Sequence, residues 1–413
     1  MFTNYLKTAL LVLKRRPFFT FISLFGVSLT LVVLMVATAV FDEVFGPQAP
    51  EVHTDRTLGV YQLAMWGEEI SSNANPSYWF LDRYVRTLTD VEAVTLFSDV
   101  RRLATYRDGD KIELFLKRTD GTFWRVYDFD FLEGGPLTDA DEANAEQVAV
   151  INESTRRRLF NGEPAVGRTF RVDGQSFRVQ GVVRDVSFLR NDPFSDVWAP
   201  ISTARSDAYR RQALLGNFNA VILAHQRGDF PAIKRALAAK MPEVELPEGY
   251  DEIQVEANTN FEQVSRELSS DRDGRAAAPW RLRFAIAAAM ILFMVLPSLN
   301  LVNINVSRIL ERASEIGVRK AFGASSWTLV GQFVIENVLL TLVGGGLAFL
   351  LSAGVLHLLS GVELIPYAVF QLNLRVFAYG LVIAVIFGLI SGVYPAWKMS
   401  RLHPVTALRR RSL

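Results

Sequence analysis

The sequence predicts an α+β membrane protein: four transmembrane helices plus a large extracytoplasmic α/β domain with a β-rich inserted subdomain. Three observations carry this. Four uncharged apolar runs punctuate a chain of 413 residues in which 21% are charged. Lysines and arginines cluster beside alternate ends of those runs. Between the first run and the second lies a long segment of mixed composition, with hydrophobic periods of two and of about 3.6 residues.

Residues 1–17 are expected to form a cytoplasmic amphipathic helix ahead of the first span. That span, residues 18–41, is long enough at 1.5 Å per residue to cross a hydrocarbon core of ~30 Å. A cleaved signal peptide is the competing reading, with Ala37 to Ala39 as its cleavage site, but the apolar run exceeds a signal h-region of about 7–15 residues. The second span covers 284–307, the third 328–359 and the fourth 376–396. A short external loop, 360–375, joins the last two, and residues 397–413 form a tail. Lys7, Lys14, Arg15 and Arg16 precede span one. Arg308, Arg312, Arg319 and Lys320 follow span two, and Lys398, Arg401 and Arg409 to Arg411 follow span four. The 360–375 loop holds only Arg375, with Glu363 in place of further cations. With four spans, all the basic flanks fall on one side. That side is the cytoplasm by the positive-inside rule, so both termini face inward and 42–283 lies outside the inner (plasma) membrane.

Within 42–283, residues 57–97 and 219–256 each read as strand–helix–strand. Thr57 to Gln62 and Val91 to Phe97 are the strands of the first unit, with Ser77 to Leu88 as its helix. Asn219 to Ala224, Pro231 to Lys240 and Glu252 to Glu256 form the second. Residues 99–215 between them form a β-rich insert. Lys111 to Lys117 alternates like a half-buried strand, and Thr119 to Gly121 turns it toward a partner strand at Thr122 to Tyr127. Phe170 and Val172, then Phe177, Val179 and Val182, flank an Asp173-Gly174 turn. Asn152 to Phe160 is a short helix with Asn152 or Ser154 as N-cap.

Composition excludes several functions. The chain has no cysteine, so disulfides and thiolate metal sites are out. Its four histidines, His53, His225, His357 and His403, form no HExxH or HxxxH pair. A net charge of +1 gives no bulk attraction for nucleic acid. No catalytic residues, bound cofactor or metal site are expected. Asp139, Asp141 and Glu142 read as a solvated acidic loop rather than a calcium site. Arg156 to Arg158 read as a solvated helix face, with lipid headgroups or a partner as the alternative.

The segment Arg312 to Phe333, RASEIGVRKAFGASSWTLVGQF, is too polar to span a bilayer and too apolar to be a plain linker. Ile316, Ala321 and Phe322 supply apolar groups. Glu311, Glu315, Arg319 and Lys320 supply both charges, with Glu315 and Arg319 four residues apart. Gly323 permits a break before a new helix at Ser325. Such a helix either lies solvated at the membrane surface or docks in a groove of another protein.

From Ser314 to Ala348 the sequence resembles the MacB/FtsX-like ABC transporter permeases. So do Gly392 to Arg409, Gly134 to Val186 and Asn4 to Leu29, in the same order. The resemblance implies a permease subunit that dimerises, with itself or with a paralogous permease, and binds two copies of a cytoplasmic ABC ATPase. It makes 308–325 the coupling helix, with Glu311, Glu315, Ile316, Arg319, Lys320, Phe322 and Gly323 touching the ATPase. A periplasmic adaptor protein and membrane lipid are further implied partners. ATP and Mg would sit on the ATPase, since the chain has no Gly-Lys dipeptide for a phosphate-binding loop and starts close to its first span. The implied work is mechanotransmission for efflux or extraction of an envelope-located substrate. An FtsX-like regulator of cell-wall hydrolases, or a membrane receptor/sensor subunit, is the alternative.

The spans offer little to line a transport path. Glu336 is expected either to form an ion pair, with Arg308 or Lys14, or to serve transport. Asn300, Asn303 and Asn305 could bond across a helix interface, Pro297 could kink span two, and Gly344, Gly345 and Gly346 could admit a close neighbour.

Overall fold

The structure, a computed structural model, describes residues 17–107, 109–269, 279–292, 318, 322, 325–361 and 365–400. The chain divides into two compact units. One is α+β and comprises Asp42–Leu282 with Glu363–Val369; the other comprises Met1–Phe41, Arg283–Val362 and Phe370–Leu413.

In the α+β unit, ten strands form one mixed sheet. Its central path runs β1 (Thr57–Val60), β12 (Phe218–Leu223), β4 (Ala93–Ser98), β6 (Asp110–Thr119), β11 (Val197–Pro200), β8 (Val148–Asn152), β10 (Gln175–Val183) and β7 (Phe131–Gly134). Strand β5 (Arg101–Arg107) pairs with β6, and β9 (Thr169–Val172) with β10. The β6–β11 and β8–β10 pairs are parallel; the other pairs in this sheet are antiparallel.

The sheet is covered on both faces. Along β12, Ala220 and Ile222 join one core cluster while Val221 and Leu223 join another. Along β8, Val148 and Val150 face one cluster and Ala149 and Ile151 face a third. Strands buried on both faces read as unbroken apolar runs, which is why Val148–Asn152 shows no alternation.

Local chemistry sets the turns. Asp173 and Gly174 both take left-handed φ, 53° and 72°, and Val172 pairs with Gln175 across them. This is the two-residue hairpin that the Asp-Gly pair predicts. The Asn152 side chain accepts from Thr155 N at 2.8 Å and caps helix Glu153–Phe160, which ends on left-handed Asn161.

Three expectations need correction. Thr122 to Tyr127 is not a partner strand, because Phe123–Val126 is helical. Asp120 accepts from Phe123 N at 3.0 Å and turns the chain into that helix, and β5 takes the place beside β6. The β-rich insert is not a subdomain of its own between the two strand–helix–strand units, because strands of all three share one sheet. Phe97 of β4 pairs with Thr119 of β6 within one sheet, and β13 (Glu252–Val255) leaves it for a smaller sheet with β2 (Leu63–Trp66) and β3 (Ser71–Ala74). The helix expected over Ser77 to Leu88 is shorter, with Tyr78–Phe80 passing into a wider π turn at Leu81–Val85.

In the helical unit, two described stretches are long and apolar enough to cross a membrane, Thr20–Phe45 and Val330–Gly361. The first belongs to α1 (Pro17–Phe45), whose last residues enter the α+β unit. The second belongs to a helix over Ser326–Gly361. Leu374–Ile386 is a shorter apolar stretch in the helix Leu374–Ser400. Residues 279–292 are helical, and the remainder of the expected second span lies outside the described residues.

Candidate functional site

Two places in the described structure bear on function. The first is a cavity of about 520 Å³ in the α+β unit. Its polar wall includes Glu51, Tyr61, Asp99, Lys117, Tyr127 and Asp192. Asp192 accepts from the hydroxyls of Tyr61 and Tyr127, the latter at 3.0 Å. Lys117 lies in the last part of β6 and is only 2% exposed. Its ammonium donates to the carbonyls of Asn191, at 2.7 Å, and Asp192. Glu51 pairs with Arg190 at 2.9 Å, and Arg190 also donates to Gly46 O. Asp99 accepts from Asn75 and Asn219 at 2.9 and 2.8 Å.

Burial is the largest influence on Glu51, Lys117, Asp192, Tyr61 and Tyr127. It pushes Glu51 up to about 7, with Asp192 reinforcing and Arg190 opposing. It pulls Lys117 down to about 8 against the attraction of Asp192, Asp99 and Glu51. Asp192 is raised by burial, with the tyrosine hydroxyls and Lys117 opposing. Tyr61 and Tyr127 are held well above the ordinary phenol range, so neither supplies a phenolate near neutral pH. The cluster ties β6, the 189–192 loop and the chain just after α1 into one polar core. No group of three or more metal-ligating side chains occurs among the described residues.

The second place is the seam between helices of the other unit. A Cβ on Gly344 would lie 2.9 Å from Val27 Cγ1 and 3.0 Å from Val27 Cβ. Ser28 Oγ donates to Gly344 O at 2.9 Å. A Cβ on Gly345 would meet Leu381 Cδ1 at 2.5 Å, and one on Gly380 would meet Leu34 Cδ2 at 2.9 Å. Gly346 has nothing within 4 Å of such an atom. Backbones this close need residues without side chains at the crossing.

Of the residues expected to touch an ATPase, only Phe322 is described. It is 89% exposed, and its amide donates to Val318 O. Glu311, Glu315, Ile316, Arg319, Lys320 and Gly323 lie outside the described residues, as do Pro297, Asn300, Asn303 and Asn305. Glu336 is buried, at 1% exposure. The Arg156 to Arg158 run is not a uniformly solvated face. Arg156 pairs with Glu133 and Arg158 with Asp196, while Arg157 bridges Glu153 and Asp185. Asp141 belongs to a capping box with Thr138, and Glu142 accepts from Ser202 N.

Residues 20–240 match the MacB-like periplasmic core domain, and residues 287–404 match the FtsX-like permease C-terminal domain. The chain belongs to the MacB/FtsX-like family of ABC transporter permeases. The polar cavity thus lies in its periplasmic core domain, and the glycine seam involves Gly344 and Gly345 of the FtsX-like part. Similar proteins include the macrolide export ATP-binding/permease protein MacB of Syntrophobacter fumaroxidans, 25% identical over 70% of this chain and 46% of that protein. MacB of Chromobacterium violaceum is 26% identical over 86% of this chain and 52% of its own length. The chain therefore spans about half the length of these curated relatives. The uncharacterized ABC transporter permease YknZ of Bacillus subtilis is 25% identical over 83% of this chain and 82% of its own. The solved periplasmic region of MacB from Actinobacillus actinomycetemcomitans has a TM-score of 0.36 and 14% identity, covering 52% of this chain and 93% of that one.

Proposed function

We propose that this permease transmits mechanical work: ATP hydrolysed on a separate cytoplasmic ATPase moves its periplasmic core domain, for efflux or extraction of an envelope-located substrate. The supporting observation is α1. One unbroken helix runs through the first apolar stretch and into the core domain. Its last turn is held there. Phe45 packs on Phe261 at 5.6 Å, Asn260 donates to Val44 O at 3.3 Å, and Arg190 donates to Gly46 O just beyond. A continuous hydrogen-bonded helix with an anchored end passes displacement on, whereas a flexible linker would absorb it.

The reading has four spans with both termini inside, two copies of the permease or one copy beside a paralogue, and two ATPases docked at 308–325. These 413 residues contain no G-x-x-x-x-G-K-[ST] loop, so ATP and Mg are assigned outside them. A periplasmic adaptor and membrane lipid complete the partners. The glycine seam supports packing rather than a substrate path, and Glu336, buried among helices, is assigned a structural role. An output through FtsX-like hydrolase control uses the same motion.

The test is nucleotide hydrolysis and co-purification. The purified chain alone should hydrolyse no ATP, and the complex with its co-purifying ATPase should. Reversing charges at the coupling segment with Glu315→Lys and Arg319→Glu should lower recovery of the ATPase about tenfold, as expected when desolvated interface charges lose their partners. Hydrolysis by the chain alone, or full ATPase recovery with the reversed charges, would refute the assignment.

A further inference from the structure

The periplasmic unit includes a segment remote in sequence, Glu363–Val369, which follows helix Ser326–Gly361 and precedes helix Leu374–Ser400. A loop between two apolar helices needs only solvation, and loops of this length usually run free over a surface. This one is built into the domain. Tyr367 Oη donates to Asp196 Oδ1 at 2.7 Å and accepts from Arg158 Nη2 at 3.0 Å. Asp196 is 1% exposed, and it also takes Asn152 Nδ2 and Phe115 N at 3.0 Å each. Its carboxylate therefore joins β6, β8, the helix after β8 and the 365–369 strap. Phe188 N donates to Pro366 O at 3.0 Å. The Tyr367 ring lies 6.3 Å from Phe194, which packs on Phe115 and Phe188.

Tyr367 also has a φ of 59°, in the left-handed region that bulky residues avoid. Such a conformation persists only where surrounding contacts outweigh its cost. Here those contacts are a charge-assisted hydrogen bond to a buried carboxylate, a guanidinium, a backbone bond and an aromatic edge. Beyond the strap, Phe370 N donates to Ser360 Oγ at 3.0 Å, which closes the chain tightly around the end of the preceding helix.

We infer that residues 365–369 are a second mechanical tether of the periplasmic domain, and that Tyr367 is the residue that positions it. The domain is then held at the end of α1 and at the strap, so the two C-terminal helices share in moving it. This rests on the transmission reading above. It adds that displacement enters by two routes, and that the Tyr367 hydroxyl keeps the second one taut.

The test uses the full chain in nanodiscs. The chain has no native cysteine, so spin labels are placed by Ala236→Cys, at an exposed site, and Val382→Cys, 57% exposed. Labelled chain is diluted with unlabelled chain, and the distance distribution is recorded without nucleotide. The distribution should be narrow with the native strap. Tyr367→Phe keeps the ring and loses the hydroxyl, and should shift the docked-to-free ratio about tenfold toward free. Tyr367→Ala should broaden the distribution further. Val369→Ala, at an exposed strap position, should leave it narrow. Thermal melting of the Tyr367→Phe chain should match the native chain, which separates positioning from folding. Equal widths for the native strap and both Tyr367 variants would overturn the tether. A narrow distribution that ATP does not shift in the ATPase-bound complex would instead overturn the transmission reading, and with it the strap's part in it.

Discussion

Lys117→Met should destabilise the periplasmic domain by about 3 kcal/mol at pH 7, measured by thermal or denaturant unfolding, because one partner of a buried charge cluster is removed while the others stay. The methionine matches much of the lysine's volume, so a cavity contributes little. The loss comes from Asp192, Asp99 and Glu51, which share the Lys117 field, and from the carbonyls of Asn191 and Asp192 left without their donor. The pH dependence distinguishes this from simple packing damage. Glu51 already sits near 7 in the fold against 4.5 for the free group, so between those values the folded chain binds the extra proton and stability falls as pH rises. Without Lys117, Glu51 and Asp192 lose a neighbouring cation and hold their protons to higher pH, so the fall should steepen and extend upward. The penalty should shrink toward pH 5, where Glu51 is protonated in the fold and no longer needs a cation. Above about 8 the native chain should recover stability, since folded Lys117 has lost its proton while the unfolded lysine keeps it up to about 10.5. The variant should lack that recovery. A penalty independent of pH would show that the cluster does not behave as a coupled set of charges.

Gly344→Leu should cost about 2 kcal/mol or more of helix-unit stability in detergent, by overpacking a contact with no slack. The nearest atoms belong to Val27, a β-branched side chain with one favoured rotamer in a helix, so it cannot swing away. Separating the backbones would also break the Ser28–Gly344 hydrogen bond. Gly346→Leu is the matched control. It adds the same side chain two residues on, where nothing lies within 4 Å of the new Cβ, and should cost little. If both substitutions had the same effect, intrinsic helix propensity or membrane insertion, and not the crossing, would govern this stretch.

How far the fold could be read in advance depended on whether a signal was local. The Asp173-Gly174 hairpin and the Asn152 cap rest on residues whose partners lie within a few positions, and both appear where the sequence places them. The stretch Phe123–Val126 fits a strand pattern as well as a helix, because its apolar residues match either period over so short a run, and only the hydrogen bond from Phe123 N to Asp120 decides it. Lys117 departs from its sequence pattern for a different reason. Its alternation with Leu114 and Leu116 suggests a solvated face, but residues on both faces of this sheet are covered. That second layer comes from chain segments far away in sequence. The polar cavity was invisible for the same reason: Glu51, Tyr61, Lys117 and Asp192 come from four separated segments. Nothing local distinguishes the strap from a short external loop, because its docking depends on Asp196, which carries no local motif.

The most direct measurement is the separation between periplasmic domains in the complex with the co-purifying ATPase. Ala236→Cys places one spin label on each copy of the domain. Distances are compared without nucleotide, with ATP and Mg under turnover, and with a trapped ATP-bound state. The account predicts a shift on the order of several Å between the nucleotide-free and trapped states, the scale of rigid-body domain rotations. Identical distributions in all three conditions, while ATP is being hydrolysed, would contradict it.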